Sequence, residues 1–116
     1  MIVFAFDRDL TVNVNEGPVP LVLVKHLAHN TEHEVWATGN QLLKAEAGIP
    51  GIDEMFARIK IVRKGIGRER RLEILKQIFP DPQIRIVVDD FNLAHVKGWI
   101  WLEPNLFVEL VNLLRL

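Results

Sequence analysis

The sequence predicts an α/β fold with a parallel sheet. Short apolar runs without polar alternation recur along the chain, and such runs are typical of strands that are covered on both faces. The segments between them carry apolar residues at helical spacing, and strands that alternate with helices pair in parallel through right-handed crossovers. We therefore predict one doubly wound domain over residues 1–116, with a five-stranded sheet between two helical layers.

Five runs are predicted to be strands: IVFAF (2–6), EVWAT (34–38), RIKIV (58–62), QIRIVV (83–88) and WIWL (99–102). Helices are predicted over 19–30, 67–79 and 104–115, where apolar residues recur at intervals of three and four. A shorter helix is predicted over 40–47, because Gly48 and Pro50 follow it as stop signals. Pro104 suits the first turn of the last helix.

Composition excludes several classes of protein. The chain has no Cys, which excludes disulfides, thiolate metal sites and cysteine nucleophiles. It also has no apolar stretch near the roughly 20 residues that a bilayer requires. Asp7 interrupts the first apolar run, so the N-terminus does not read as a signal peptide. We expect a cytoplasmic protein that does not enter the membrane.

Polar residues follow each of the first four predicted strands. They are Asp7 and Asp9, then Thr38, Gly39 and Asn40, then Arg63 and Lys64, and finally Asp89 and Asp90. Ligands of parallel α/β sheets bind outside the carboxyl ends of the strands. We therefore expect these side chains to converge on one rim of the sheet and to form the functional site.

The residue types at this rim suit phosphoryl chemistry. Asp7 and Asp89 offer hard oxygen ligands of the kind that Mg²⁺ prefers, and a cation relieves the repulsion between them. A carboxylate beside Mg²⁺ can attack phosphorus and form an aspartyl-phosphate. A second carboxyl group two residues on can transfer the proton, while a hydroxyl and an ammonium group hold the phosphoryl oxygens.

The motifs VFAFDRDLTV, EVWATGN, RKGIGRERRLEIL and IRIVVDDFN, in this order, resemble the haloacid dehalogenase superfamily. They span residues 3 to 92. The resemblance implies a Rossmann-like three-layer sandwich and a phosphatase. It assigns the nucleophile to Asp7, the general acid/base to Asp9, phosphate binding to Thr38, Gly39 and Lys64, Mg²⁺ binding to Asp7, Asp9 (through its backbone carbonyl) and Asp89, and supporting roles to Thr11, Asp90 and Asn92.

Members of this superfamily usually insert a cap domain between the motifs. Here about 25 residues separate the first motif from the second, and the second from the third, enough for a helix but not for a domain. We therefore expect no cap, an open site and a phosphorylated substrate that is bulky or macromolecular, or else a cap from a neighbouring subunit. Without a cap the phospho-enzyme is exposed to water, which favours hydrolysis over mutase chemistry.

Other polar residues have structural and functional interpretations. Lys60 is the rival of Lys64 for the phosphate, but it lies within the predicted strand. Residues 58–76 carry eight Lys/Arg and two Asp/Glu, which is typical either of a solvated helix face or of a surface that steers an anionic partner such as nucleic acid. The first interpretation is favoured. The three tryptophans, Trp36, Trp99 and Trp101, are predicted to pack in the core rather than to stack on bases.

The four histidines have similar alternatives. Surface positions are favoured over a metal site for His26, His29 and His33, whose spacing would align them only on a continuous helix. His95 lies near the predicted rim and is either a surface residue or a substrate contact.

Two other functions remain as alternatives to a phosphatase. A phosphorylation module that resembles a response-regulator receiver also uses acidic residues, Thr, Lys and Mg²⁺, but its motifs follow the strands in a different order. A non-catalytic interaction protein could retain the same fold. The apolar C-terminal segment and the open site are compatible with a homo-oligomer.

Overall fold

The computed structural model describes residues 1–61 and 65–114, and these form an α/β fold around one parallel sheet. The strands are β1 (Ile2–Phe6), β2 (Glu34–Ala37), β3 (Ile84–Val88) and β4 (Ile100–Leu102). The helices are α1 (Leu21–His29), α2 (Lys44–Ala47), α3 (Ile52–Ile59), α4 (Arg68–Ile78) and α5 (Pro104–Leu114), and a 3-10 turn spans Asn13–Asn15. The strand order β2-β1-β3-β4 places β1 and β3 at the centre.

Four of the five predicted strands are confirmed, but the prediction of a strand over 58–62 is wrong for residues 58–61, and Val62 lies outside the described residues. Arg58 and Ile59 instead end α3, and Lys60 follows in the left-handed region with a φ of 54°. The apolar residues Ile52, Met55, Phe56 and Ile59 recur at helical spacing, and Met55 and Phe56 are buried. That period overrides the shorter alternation in RIKIV. The sheet of the described residues therefore has four strands, and the doubly wound layout stays a prediction.

The predicted helices at 19–30, 40–47, 67–79 and 104–115 are confirmed with shorter bounds, and α3 is a fifth. None of the described helices is long and apolar enough to cross a bilayer. Most of the segment between the second and third predicted motifs is accounted for by two short helices, α2 and α3.

The core consists of two apolar clusters, and β1 contributes to both. Phe4 and Phe6 belong to the first cluster, together with residues of α1 and α5. Val3 and Ala5 belong to the second cluster, with residues of α3 and α4. Alternate residues of a strand point to opposite faces of the sheet, so both faces of β1 are covered. This explains why its sequence is uniformly apolar.

The tryptophans are packing residues, as predicted. Trp36 and Trp99 are buried in the second cluster, and Trp101 packs against it. The indole N–H of Trp99 donates to the carbonyl of Leu72 at 3.0 Å, which ties the residue before β4 to α4. The side chain of Arg58 lies over the ring of Trp36 at 5.7 Å.

Candidate functional site

Asp7, Thr38 and Asp89 lie at one rim of the sheet, because the last residues of the central strands are in register. Phe6 pairs with Ala37 on one side and with Val88 on the other. The backbone ladder continues by one bond past each strand. Asp7 N–H donates to the Val88 carbonyl at 3.0 Å, and Thr38 N–H donates to the Phe6 carbonyl at 3.0 Å. The backbone therefore holds these residues, and the predicted convergence is confirmed for them.

Three carboxyl groups meet at this rim. One oxygen each from Asp7, Asp89 and Asp90 lies within 4.8 Å of the others. Asp7 and Asp89 are buried, with 2% and 1% of their surface exposed, whereas Asp90 is exposed. Burial, the adjacent Asp90 carboxyl group and the charge of Asp89 raise the pKa of Asp7 to about 7. Burial likewise raises the pKa of Asp89 to about 6.

Hydrogen bonds hold Asp89 in place but leave one of its oxygens without a partner. Its Oδ1 accepts from the Phe91 N–H at 2.9 Å, and its backbone carbonyl accepts from the Trp101 indole at 2.9 Å. Its Oδ2 is buried and has no hydrogen-bond partner among the described residues. A buried carboxylate oxygen without a partner is costly, so a group that supplies positive charge would stabilise it.

The site contains an arginine that the sequence prediction did not assign to it. Arg68, the first residue of α4, pairs with Asp89 Oδ1 at 3.1 Å and approaches Asp7 Oδ1 at 3.6 Å. Its charge opposes the rise in both carboxyl pKa values. The sequence offered one signal that could have found it, because α4 leads directly into β3 and thus begins near the rim. The favoured interpretation of Arg68 as part of a solvated helix face is wrong.

Asp9 does not join the carboxylate cluster. Its Oδ1 accepts from the Asn15 side chain and from the Arg8 guanidinium, both at 2.7 Å. These two contacts lower the pKa of Asp9, Asn15 being the stronger cause. Leu10 follows in the left-handed region with a φ of 61°, so the chain turns sharply after the acidic pair. The Asp9 carboxylate is therefore held by Arg8 and Asn15 instead of joining Asp7.

Thr11 supports Asp7 from the same turn. It is fully buried, and its hydroxyl donates to Asp7 Oδ2 at 3.5 Å, a long hydrogen bond. The Thr11 N–H donates to the Arg8 carbonyl at 3.3 Å, which closes the turn. The supporting position predicted for Thr11 thus agrees with where the residue lies.

The loop after β2 contacts Asp7 through a glycine. A Cβ atom built on Gly39 would lie 1.8 Å from Asp7 Oδ1, so no other residue fits there without displacing the carboxylate. Thr38 beside it is buried. The buried guanidinium of Arg71 donates to the carbonyls of Thr38 and Gly39 at 3.1 and 2.9 Å, and to Asn40 Oδ1 at 3.3 Å. Arg71 therefore fixes the loop, and its assignment to a solvated face is also wrong.

The remaining predicted contacts are dispersed. Lys64 and Arg63 lie outside the described residues, so their predicted place at the rim stays a prediction. Lys60 is exposed at the end of α3. Asn92 is also exposed, and its side-chain oxygen accepts from the Ala94 N–H at 3.0 Å, which caps the turn after the acidic pair of β3.

The histidines have local structural contacts. His33 Nδ1 accepts from the Ile2 N–H at 3.0 Å, and His29 Nε2 contacts the Ala47 carbonyl at 2.6 Å. His26 is exposed and, like His29 and His33, belongs to no group of potential metal ligands in the described ranges 1–61 and 65–114. His95 contacts Glu69 Oε1 at 2.6 Å on the surface.

An open cleft of about 610 Å³ adjoins the carboxylates, and Arg68 is common to both. Asn40, Arg70, Phe91 and Leu93 are further lining residues. Phe91 is 57% exposed, and the Arg68 guanidinium lies 5.7 Å from the centre of its ring. The cleft therefore combines an aromatic surface with positive charge.

The carboxylates fit a hard divalent cation. Mg²⁺ is usually bound by one or two carboxylates that leave room for water and phosphate. Asp7 and Asp89 provide buried carboxylate oxygens, and the unpartnered Oδ2 of Asp89 is suited to such a ligand. Asp90 can contribute a third oxygen from the solvent side.

The haloacid dehalogenase resemblance rests on the four sequence motifs. Asp7, Gly39 and Asp89, from the first, second and fourth motifs, meet at the rim. Arg68 of the third motif pairs with Asp89. No family model, curated protein or solved structure matches the chain.

Proposed function

We propose that the protein is a Mg²⁺-dependent phosphomonoester hydrolase that acts through an aspartyl-phosphate at Asp7. The observation that carries this proposal is the carboxylate group at the rim: three carboxyl oxygens within 4.8 Å, one buried oxygen of Asp89 unpartnered, and Arg68 beside them. Perturbed pKa values in such a cluster are typical of functional sites.

Asp7 and Asp89, with Asp90 on the open side, would hold the Mg²⁺ ion. The bound ion supplies charge neutralisation between the carboxylates and the phosphoryl oxygens. Positive charge beside Asp7 also lowers its raised pKa, so that the carboxylate is ionised at neutral pH. An ionised carboxylate is the form required of a nucleophile.

In the first half-reaction, an Asp7 oxygen attacks phosphorus, the bond to the ester oxygen breaks, and the leaving oxygen takes a proton from Asp9. In the second, Asp9 takes a proton from water, whose oxygen attacks phosphorus and releases phosphate from Asp7. The lowered pKa of Asp9 fits the second step, which needs the ionised form. The first step needs the protonated form of Asp9, so the hydrogen bonds from Arg8 and Asn15 must loosen in that step.

Arg68 takes the phosphate-binding role expected of a cationic residue in the third motif. Its guanidinium already lies between Asp7 and Asp89, at 3.6 and 3.1 Å, and it lines the open cleft. Guanidinium groups bind phosphoryl oxygens in bidentate fashion. Arg68 would exchange a carboxylate contact for the substrate. Lys64 stays a candidate for the same task, and Thr38 and Gly39 supply the loop that faces Asp7.

The test is a screen of phosphomonoesters with the wild type and with Asp7→Asn, with and without Mg²⁺. Sugar phosphates, nucleotides, phosphopeptides and phosphorylated nucleic-acid ends cover the substrate classes. We expect hydrolysis that requires both Mg²⁺ and Asp7. Turnover by Asp7→Asn equal to that of the wild type would exclude Asp7 as the nucleophile. Turnover that a chelator does not reduce would exclude a role for the divalent cation.

A second candidate is the non-catalytic interaction protein. The observation in its favour is the ion pair of Arg68 with Asp89, which supplies a cation from the chain itself. In that case Mg²⁺ would be superfluous, and calorimetric titration would detect no binding. Binding that disappears in Asp89→Asn would instead support the hydrolase.

A further inference from the structure

The cleft beside the carboxylates has the size of a small-molecule site. Its volume is about 610 Å³, within the range of roughly 300 to 1,000 Å³ that ligand pockets occupy. It is continuous with the proposed phosphate position, because Arg68 both lines the cleft and pairs with Asp89. A group esterified to a phosphate near Asp7 can therefore extend into this cleft.

Phe91 gives the cleft an exposed aromatic surface. More than half of the residue, 57%, is open to solvent, although large apolar side chains near the rim, such as Phe6 and Leu93, are buried. Its backbone is not free, because the Phe91 N–H donates to Asp89 Oδ1 at 2.9 Å. The backbone of Phe91 is therefore anchored beside the carboxylates, and the Arg68 guanidinium lies 5.7 Å from the centre of its ring. An exposed ring held in this way is suited to stacking against a planar partner.

The charges in the cleft complement an anion attached to such a partner. Arg68 and Arg70 line it, and the acidic residue among them, Glu69, is engaged by His95 at 2.6 Å. Arg70 pairs with Glu73 at 3.0 Å on the exposed side of α4. Asn40 contributes an amide on the opposite loop. Hydrogen-bonding groups and positive charge thus surround an aromatic surface.

We propose that the substrate is a phosphomonoester whose leaving group carries a planar aromatic ring system, as in a nucleoside monophosphate, and that Phe91 is the specificity-determining residue that stacks on it. This inference rests on the proposed hydrolase function. An aliphatic ester of equal charge makes the phosphate contacts but gains nothing from the ring.

The experiment compares adenosine 5′-monophosphate with glycerol 3-phosphate, using kcat/KM for the wild type and for Phe91→Ala and Phe91→Trp. We expect Phe91→Ala to lose about tenfold on the nucleotide and to stay within about twofold of the wild type on glycerol phosphate, as a single stacking contact implies. Phe91→Trp retains the preference. Leu113→Ala, an exposed apolar truncation on α5, is the matched control and should change kcat/KM for neither substrate.

Nucleotide binding is measured separately, by calorimetry in the Asp7→Asn background with and without Phe91→Ala. We expect the additional change to weaken binding of the nucleotide about tenfold. Because Phe91 is exposed, its truncation should not impair folding, and circular dichroism verifies this.

The two hypotheses fail in different ways. One outcome would overturn the stacking inference and leave the hydrolase proposal intact: hydrolysis depends on Asp7, but kcat/KM is equal for the two substrates. The same conclusion would follow if Phe91→Ala lowered kcat/KM equally for both substrates. Nucleotide binding that depends on Phe91 without hydrolysis of any ester would contradict the hydrolase and support the contact. Absence of both binding and preference would overturn the inference outright.

Discussion

Replacing Asp7 by Asn should make the protein more stable at alkaline pH. Burial raises the pKa of Asp7 from 3.8 to about 7, so the native state binds a proton that the unfolded state has released. At pH values between these two pKa values the native state binds more protons than the unfolded state, and the free energy of unfolding therefore falls as pH rises. At about 1.36 kcal/mol per pH unit, the loss by pH 8 is at most roughly 4 kcal/mol.

The Asn side chain has nearly the same shape and does not titrate, so it avoids this loss. We expect the stability of Asp7→Asn relative to the wild type to increase by up to about 4 kcal/mol between pH 4 and pH 8 in the absence of divalent cations. Added Mg²⁺ should narrow the difference, because binding to the wild-type carboxylate stabilises its folded state.

The assay is denaturant unfolding of both proteins at pH 4, 6 and 8 with a chelator present. Asp81→Asn is the control, because Arg85 lowers the pKa of the exposed Asp81 below its ordinary 3.8. The wild-type Asp81 carboxylate therefore loses its contribution to stability only as pH falls below this assay range, and Asp81→Asn should run nearly parallel to the wild type from pH 4 to pH 8. Parallel pH profiles for Asp7→Asn and the wild type would refute the reasoning for Asp7.

Three further substitutions test the parts of the site. Arg68→Ala should tighten Mg²⁺ binding in calorimetry, because it removes a cation that competes for Asp89, and it should lower the phosphatase kcat. Substitution of the exposed Lys25 by Ala controls for the loss of one positive charge. Weaker Mg²⁺ binding by Arg68→Ala would contradict the competition. Gly39→Ala should lower kcat/KM about 100-fold, because its Cβ would lie 1.8 Å from Asp7 Oδ1; near-normal kinetics would show that the carboxylate need not be held in place. Arg71→Met should lower the free energy of unfolding by about 3 kcal/mol in denaturant titration, because buried loop carbonyls lose their donor, and a loss below about 1 kcal/mol would contradict this role.

Strand positions and the functional rim could be predicted from the sequence because they depend on local pattern and on a general rule. IVFAF and IRIVV read as covered strands, and both are central in the sheet. The rule that ligands bind at the carboxyl ends of strands then brought Asp7 and Asp89 together. The family resemblance added roles for these residues, and those roles remain to be tested.

The error over 58–62 had a physical cause. RIKIV alternates like a strand, but its first two residues, Arg58 and Ile59, complete the helical period that begins at Ile52. Packing against α4 and β2 decides between two such patterns, and that packing depends on residues distant in sequence. Two overlapping periods are therefore not resolved by a window of five residues.

Side-chain directions were the other part that the sequence could not supply. Arg68 and Arg71 belong to a run of charged residues that reads as a solvated face. Both instead make inward contacts, because residues three apart share one face of α4: Arg68 pairs with Asp89, and Arg71 binds the loop after β2. Asp9 lies two residues from Asp7, yet hydrogen bonds from Arg8 and Asn15 hold its carboxylate, which does not join the cluster. Such contacts depend on backbone turns that composition does not encode.

The central claim is that Asp7 becomes phosphorylated during turnover. Borohydride reduces an acyl phosphate to an alcohol, so trapping during hydrolysis of an aryl phosphate with Mg²⁺ should convert Asp7 to homoserine. Peptide mass spectrometry should find this change at Asp7 in the wild type and at no position in Asp7→Asn. Hydrolysis that proceeds without a trapped residue, or with the label on Asp89 or Asp9, would contradict the claim.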